Sequence, residues 1–267
     1  MKVRDKFWLF ASRDHDDDIW YGKRGSDQIR QWSRITPTEG AAILGIENVM
    51  MITSDGVPVP FSADAYGYME SFCRMKNVWW SAVGSAGCRV GNEEDFAIEL
   101  AKKYPNLTGI FLDDVMITGG TVEESKKVIH AVRKTADKCD RKLELWATCY
   151  TSKINDYLDL ELYEPLDGIT VWDFDMSSIP NIVDGFEAYE KFLPNKRKML
   201  GIYLYDYGKG VSVSKEFMKA KCEQGLQWIR EGRCEGLIFL TNCNMGIGLE
   251  SDYWLRDWID EVGDQEI

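Results

Sequence analysis

Short apolar runs that end abruptly in polar residues recur along this chain, and they constrain its fold more than any other feature. Gly109-Ile110-Phe111-Leu112-Asp113-Asp114 is the sharpest instance. A run this apolar reads as a strand buried on both faces, as in a parallel sheet. Two acids at its end are costly unless that end opens into a polar, solvated pocket. Gly168-Ile169-Thr170-Val171-Trp172-Asp173-Phe174-Asp175 and Gly201-Ile202-Tyr203-Leu204-Tyr205-Asp206 repeat the pattern, and Gly236-Leu237-Ile238-Phe239-Leu240-Thr241-Asn242 ends in an amide. Parallel α/β proteins place their active sites at the C-terminal ends of such strands.

Strand and helix patterns alternate throughout. Strands are expected at 5–13, 48–53, 78–83, 109–114, 142–150, 168–175, 201–206 and 234–242. Between them fall helical patterns. Thr36-Pro37-Thr38-Glu39 opens one with Pro in its first position. Others cover 62–75, 93–104, 121–139, 154–163, 179–192 and 214–231, and a closing helix covers 252–262. Strict alternation predicts a parallel sheet, and eight units in 267 residues predict closure into a single (β/α)8 TIM barrel over 1–267. An open doubly wound sheet is the competing architecture. It usually carries a Gly-rich first turn, and GxGxxG is absent.

Composition excludes several functions. A net charge of -12 argues against nucleic acid and against an anionic membrane as partner. Only His15 and His130 are present, which rules out a multi-histidine zinc centre; no metal and no cofactor are expected. Seven Cys without a CxxC pair favour reduced thiols. A cytoplasmic protein is expected as the sequence stands, and a secreted one if a signal peptide has been removed. Nothing in the sequence signals an oligomeric state.

Candidate chemistry lies in the acids. Residues two apart on a strand share a face, so Asp173 and Asp175 point one way and Trp172 and Phe174 the other. Either Asp113 or Asp114 points inward on a regular strand, depending on whether Phe111 or its neighbours fill the barrel. Strands four and six feed the same side-chain layers, so their carboxylates are placed to face each other. Two carboxylates are the minimum equipment for glycoside hydrolysis; helix capping and surface ion pairing are the competing uses of such acids.

The fourth- and sixth-strand wording, GIFLDD then WDFD, resembles the α-galactosidase/α-glucosidase clan of barrel glycosidases, and GIFLDD also resembles the fourth strand of polygalactosaminidase-like barrels. The resemblance implies a nucleophile at Asp113 or Asp114 and an acid/base at Asp173 or Asp175. Neither the Asn-Glu strand-four signature of the β-glycosidase clan nor the DxxDxDxE run of chitinase-like barrels is present.

A carbohydrate substrate gives roles to other residues. Trp146, Trp172, Tyr205 and Tyr207 lie near predicted strand ends, where aromatic faces stack on sugars, though barrel–helix packing is an equal use for them. Asp206, Asn242 and Asn244 are candidate partners of sugar hydroxyls, with turn chemistry the alternative for the asparagines. Asp14-His15-Asp16-Asp17-Asp18 places an acidic loop on the rim; it is a candidate for sugar hydroxyls through Asp14, His15 and Asp16, or for a hard cation, although the EF-hand pattern is absent. Two other functions compete with hydrolysis. One is a carbohydrate-binding barrel without catalysis. The other is a lyase or isomerase of a phosphorylated sugar, using the loops at Gly208-Lys209-Gly210 and Gly246-Ile247-Gly248.

Overall fold

The computed structural model describes residues 1–18, 32–116, 120–174, 176 and 178–267. Eight parallel strands close into a barrel: β1 (Phe7–Ala11), β2 (Asn48–Met51), β3 (Asn77–Val83), β4 (Leu107–Leu112), β5 (Glu144–Tyr150), β6 (Gly168–Trp172), β7 (Arg197–Tyr203) and β8 (Leu237–Leu240). Closure runs through β1 and β8, whose residues pair from Phe7 with Leu237 to Phe10 with Leu240. Each strand is followed by a helix: α1 (Pro37–Leu44), α2 (Ala63–Ser71), α3 (Glu93–Lys103), α4 (Val122–Ala136), α5 (Leu160–Tyr163), α6 (Ile179–Phe192), α7 (Lys215–Arg230) and α8 (Glu250–Val262). The chain is therefore a (β/α)8 TIM barrel.

Local sequence chemistry sets the helix starts. At α1 and α4 a threonine caps the first turn and a glutamate three residues on returns the bond, Thr36 with Glu39 and Thr121 with Glu124. Ser62 and Ser214 cap α2 and α7 in the simpler way. Several expected bounds shift; strand six, expected over 168–175, ends at Trp172, and strand one, expected over 5–13, spans Phe7–Ala11. The pattern over 154–163 resolves into a 3-10 turn at Thr151–Asp156 and the single-turn α5. Strand β8 is limited to Leu237–Leu240. The seventh strand stops at Tyr203, and Tyr205–Asp206 instead pairs with Val211–Ser212 in a small antiparallel ribbon.

Aromatic rings fill the barrel, and glycines make room for them. Trp79 packs 4.3 Å from Trp8 and 5.0 Å from Trp146, centroid to centroid. Higher up, Phe10 meets the rings of Phe111 and Trp172 edge-on. Three inward indoles, those of Trp79, Trp146 and Trp172, each overlie a glycine of the next strand. A Cβ at Gly109 would come within 2.6 Å of Trp79, one at Gly168 within 2.4 Å of Trp146, and one at Gly201 within 2.1 Å of Trp172. Three of the four glycines that open the repeated runs are thus the complement of tryptophans; the fourth, Gly236, lies against Lys6 O and Met199. At the floor, the Arg197 guanidinium covers Trp146 and pairs with Glu144 at 2.6 Å. Outward-facing strand residues pack on the helices, as Trp80 does on Phe96.

Overpacking a filled interior costs about 1–3 kcal/mol. Gly201→Ala should therefore lower unfolding stability by about that amount in urea titrations. Gly67, on α2 with nothing within 4 Å of its would-be Cβ, is the contrast: Gly67→Ala should raise stability by about 0.5–1 kcal/mol.

Candidate active site

A cavity of about 300 Å³ opens at the mouth of the barrel, above Trp172. Its size falls at the lower end of the roughly 300–1,000 Å³ typical of small-molecule pockets. The strand-four acids enter it by two different routes. Phe111 faces the interior, so Asp113, two residues on, shares that face. Its amide continues the sheet by donating to Val83 O, and its Oδ1 accepts from Thr148 Oγ1 at 2.9 Å. The chain then turns sharply at Asp114, whose φ of 49° lies in the left-handed region. Aspartate tolerates that region better than most residues. The turn brings the Asp114 carboxylate back to the cavity, where Tyr150 Oη donates to Oδ1 at 2.8 Å and the Ala86 amide to Oδ2 at 3.0 Å. Both acids of the pair therefore line the cavity.

Burial raises the pKa values of both carboxyls here. Burial pushes Asp113 well above the usual carboxylate range, and the adjacent Asp114 charge pushes it further. The Thr148 and Ser85 hydroxyls and the Asp114 amide oppose this only in part. Asp114 is also raised by burial, with the Tyr150 hydroxyl and the Ala86 amide working against it.

Three aromatic rings wall one side. Phe174 stacks on Tyr150 with centroids 4.6 Å apart and planes 4° apart, and lies 5.7 Å from Tyr203. It remains 53% exposed and lies between the mouth cavity and the neighbouring hollow, lining both. Trp172 is buried beneath, with its Nε1 donating to Thr170 Oγ1. Opposite, the first loop contributes Asp16 and Asp17. Asp16 pairs with Arg13 at 3.0 Å. Asp17 accepts from Tyr207 Oη at 2.5 Å, and that hydroxyl accepts from Asn244 Nδ2 at 3.0 Å.

Other candidates lie elsewhere. Asp173 follows inward-facing Trp172 and so points outward, into a separate hollow with Asn181 and Asp184. Burial brings the fully buried Lys221 down to about 8, and the charge of Asp173 opposes this in part. Asp175 lies outside the described residues. Trp146 is interior packing near the floor, far along β5 from the mouth. Tyr205 packs with Ile247 and Leu249 behind the ribbon. Asp206 organises its own turn, accepting from the Lys209 amide and lying 3.4 Å from Lys209 Nζ. Asn242 is buried, accepting from the Ser12 amide and donating to Ile35 O. In the acidic loop, Tyr68 Oη donates to Asp14. His15 Nε2 accepts from Arg34, which leaves the proton on Nδ1 for Asp18 at 2.8 Å. Among the described residues no group of three or more acids, histidines or cysteines is arranged to hold a metal.

Sequence reasoning missed Tyr150, Tyr203, Ser85 and Phe174 as cavity residues, and it read Asp17 only as part of the acidic loop. A signal existed for Tyr150, which is two residues beyond Thr148 and so on its face. Phe174 was already paired in parity with Trp172.

No protein-family model and no curated protein sequence matches the chain. Among solved structures it is similar to a chitinase from Chromobacterium violaceum (TM-score 0.54, 12% identity, 95% of this chain and 98% of that one). A β-glucosidase from Thermotoga maritima in complex with cyclophellitol is also similar (TM-score 0.54, 9% identity, 98% and 99%). So is a mutant tryptophan synthase α-subunit from Pyrococcus furiosus (TM-score 0.52, 11% identity, 98% and 99%). At such identities the likeness establishes the barrel, a fold shared with glycoside hydrolases and with at least one enzyme of another kind.

The raised Asp113 carboxyl has a consequence for stability. The folded state holds this proton more tightly than the unfolded chain does. Its contribution is full below the ordinary carboxylate range and is lost as pH rises through the raised folded value. Asp113→Asn keeps an acceptor for Thr148 and has no proton to lose. Melting temperatures recorded from pH 4 to 8 should therefore fall less with rising pH in Asp113→Asn than in the wild type; equal slopes would place the Asp113 pKa in the normal range.

Proposed function

We propose that this barrel is a glycoside hydrolase whose reaction takes place in the mouth cavity, with the strand-four pair supplying the proton for the leaving group. The observation that carries this reading is the Asp113 carboxyl, which lines the mouth cavity beside Asp114, accepts from Thr148, and is pushed well above the usual carboxylate range by burial and by the neighbouring Asp114 charge. A carboxyl with a raised pKa suits protonation of a glycosidic oxygen. In this reading Asp113 is the acid. Asp114, fixed by Tyr150 and the Ala86 amide, supplies the charge that raises its pKa further. Phe174, which remains exposed, stacks on the sugar ring.

This assignment differs from the one implied by resemblance, in which strand four holds the nucleophile and strand six the acid/base. A strand-six partner would have to be Asp175, because Asp173 faces the outer hollow. The phosphorylated-sugar reading loses support from Lys209, the base in the loop after β7, which pairs with Asp206. A binding barrel without catalysis is favoured by the aromatic wall alone; it gives no use to a buried acid with a raised pKa.

Release of aryl leaving groups from a panel of α- and β-glycosides tests the proposal. Asp113→Asn should lower kcat by about 10²–10⁴-fold, the usual worth of general acid catalysis, and most for substrates with poor leaving groups. Phe174→Ala should leave kcat nearly intact and raise KM by up to about tenfold, since aromatic contacts are worth about 0.5–1.5 kcal/mol. Wild-type activity that survives Asp113→Asn at full strength would remove Asp113 from the mechanism. Sugar binding without turnover on any glycoside would favour the binding barrel.

A further inference from the structure

Protonating the leaving group completes only half of a hydrolysis. A second carboxylate must attack the anomeric carbon or activate the water that does. Among the described residues, acids other than the strand-four pair reach the mouth cavity only from the loop after β1, as Asp16 and Asp17. Asp16 is engaged by Arg13. Asp17 is more than nine-tenths buried, and it accepts a 2.5 Å hydrogen bond from Tyr207 Oη, which Asn244 Nδ2 holds in place. Tyr207 comes from the segment after β7 and Asn244 from the segment after β8. Three loops thus converge to hold one carboxylate in a fixed position. A hydroxyl donor at this distance stabilises the ionised form and costs little mobility.

We infer that Asp17 is the second catalytic carboxylate, acting as the general base across the cavity from Asp113; this rests on the hydrolase reading above. Strands β1 and β4 are separated by β2 and β3 in the ring, so their loops approach the cavity from different sides. A base that activates water, in place of a carboxylate that attacks the sugar itself, makes the reaction inverting. The step balances without a cofactor. Asp113 gives its proton to the glycosidic oxygen as the bond from that oxygen to the anomeric carbon breaks. Water forms the new bond to the anomeric carbon from the opposite face and passes a proton to Asp17. Exchange with solvent then returns a proton to Asp113 and removes one from Asp17. Tyr207 is a positioning residue in this scheme, and Asp173 has no part in it.

The test compares wild type, Asp17→Ala, Asp17→Asn, Tyr207→Phe and Asp173→Asn on an activated aryl glycoside that the wild type hydrolyses, with folding checked by circular dichroism. Asp17→Asn preserves the volume and the acceptor for Tyr207, so it covers the case in which the alanine variant does not fold. Both Asp17 variants should lose about 10²–10⁴-fold in kcat with KM little changed. Azide should restore turnover to Asp17→Ala and yield a glycosyl azide of inverted configuration. Tyr207→Phe should move the acidic limb of the pH profile upward, because removing the donor raises the base's pKa, an effect that a merely structural role would not produce. Asp173→Asn should retain wild-type kcat. Full activity in Asp17→Asn, or first-formed sugar of retained configuration in the wild type, would overturn the inference and leave the hydrolase reading standing. A wild type inactive on every glycoside would overturn both.

Discussion

Indole-over-glycine packing inside the barrel is the constraint on which the rest of this structure depends. An eight-stranded barrel has room for side chains and little else, and here large aromatic rings take up much of that room. Three indoles fit because the neighbouring strand presents no Cβ beneath them: Trp79 over Gly109, Trp146 over Gly168 and Trp172 over Gly201. These pairings fix which face of each strand looks inward. With Trp172 inward, alternation sends Asp173 to the helix side and returns Phe174 to the mouth. With Gly109 and Phe111 inward, Asp113 enters the cavity. Which acids can meet a ligand is thus decided by packing several residues below them.

The electrostatics of the mouth follow from that placement. A strand buried on both faces carries Asp113 into a site with little water, and the left-handed turn at Asp114 adds a second carboxyl beside it. Such proximity would be unfavourable with both acids ionised. It is eased because Tyr150, the Ala86 amide and Thr148 supply donors to the pair. The raised pKa values mean that stability is given up locally as the pair ionises, a common arrangement at catalytic centres.

Much of the fold was legible in the sequence because its signals are local. Apolar runs of strand length, capping boxes at Thr36 and Thr121, and glycines at the run starts each act within a few residues. The strand-four pair was legible for the same reason. The facing of strand six was not. A strand buried on both faces has no polar alternation to show which side is inward, so Asp173 and Asp175 were separable from Trp172 and Phe174 without the inward face being identifiable. Trp146 was placed near a strand end, but β5 continues four residues beyond it to Tyr150, leaving it deep in the barrel. Asp206 and Tyr205 read as strand because the apolar run continues past Tyr203, where the backbone in fact leaves the barrel for a ribbon. Contacts between distant loops were the least visible. The bond from Tyr207 to Asp17 joins residues 190 apart, and nothing local to either announces it.

One measurement bears most directly on the central claim that the cavity walled by Asp113, Asp114 and Phe174 is where a sugar is held. A crystal structure with a protonated iminosugar would place a cationic sugar mimic wherever the protein offers carboxylates to a sugar ring. The account predicts the ring above Trp172, stacked against Phe174, with its polar atoms within hydrogen-bonding distance of Asp113 and Asp114. A ligand seated instead in the outer hollow at Asp173, or beside Asp206 at the ribbon, would contradict it.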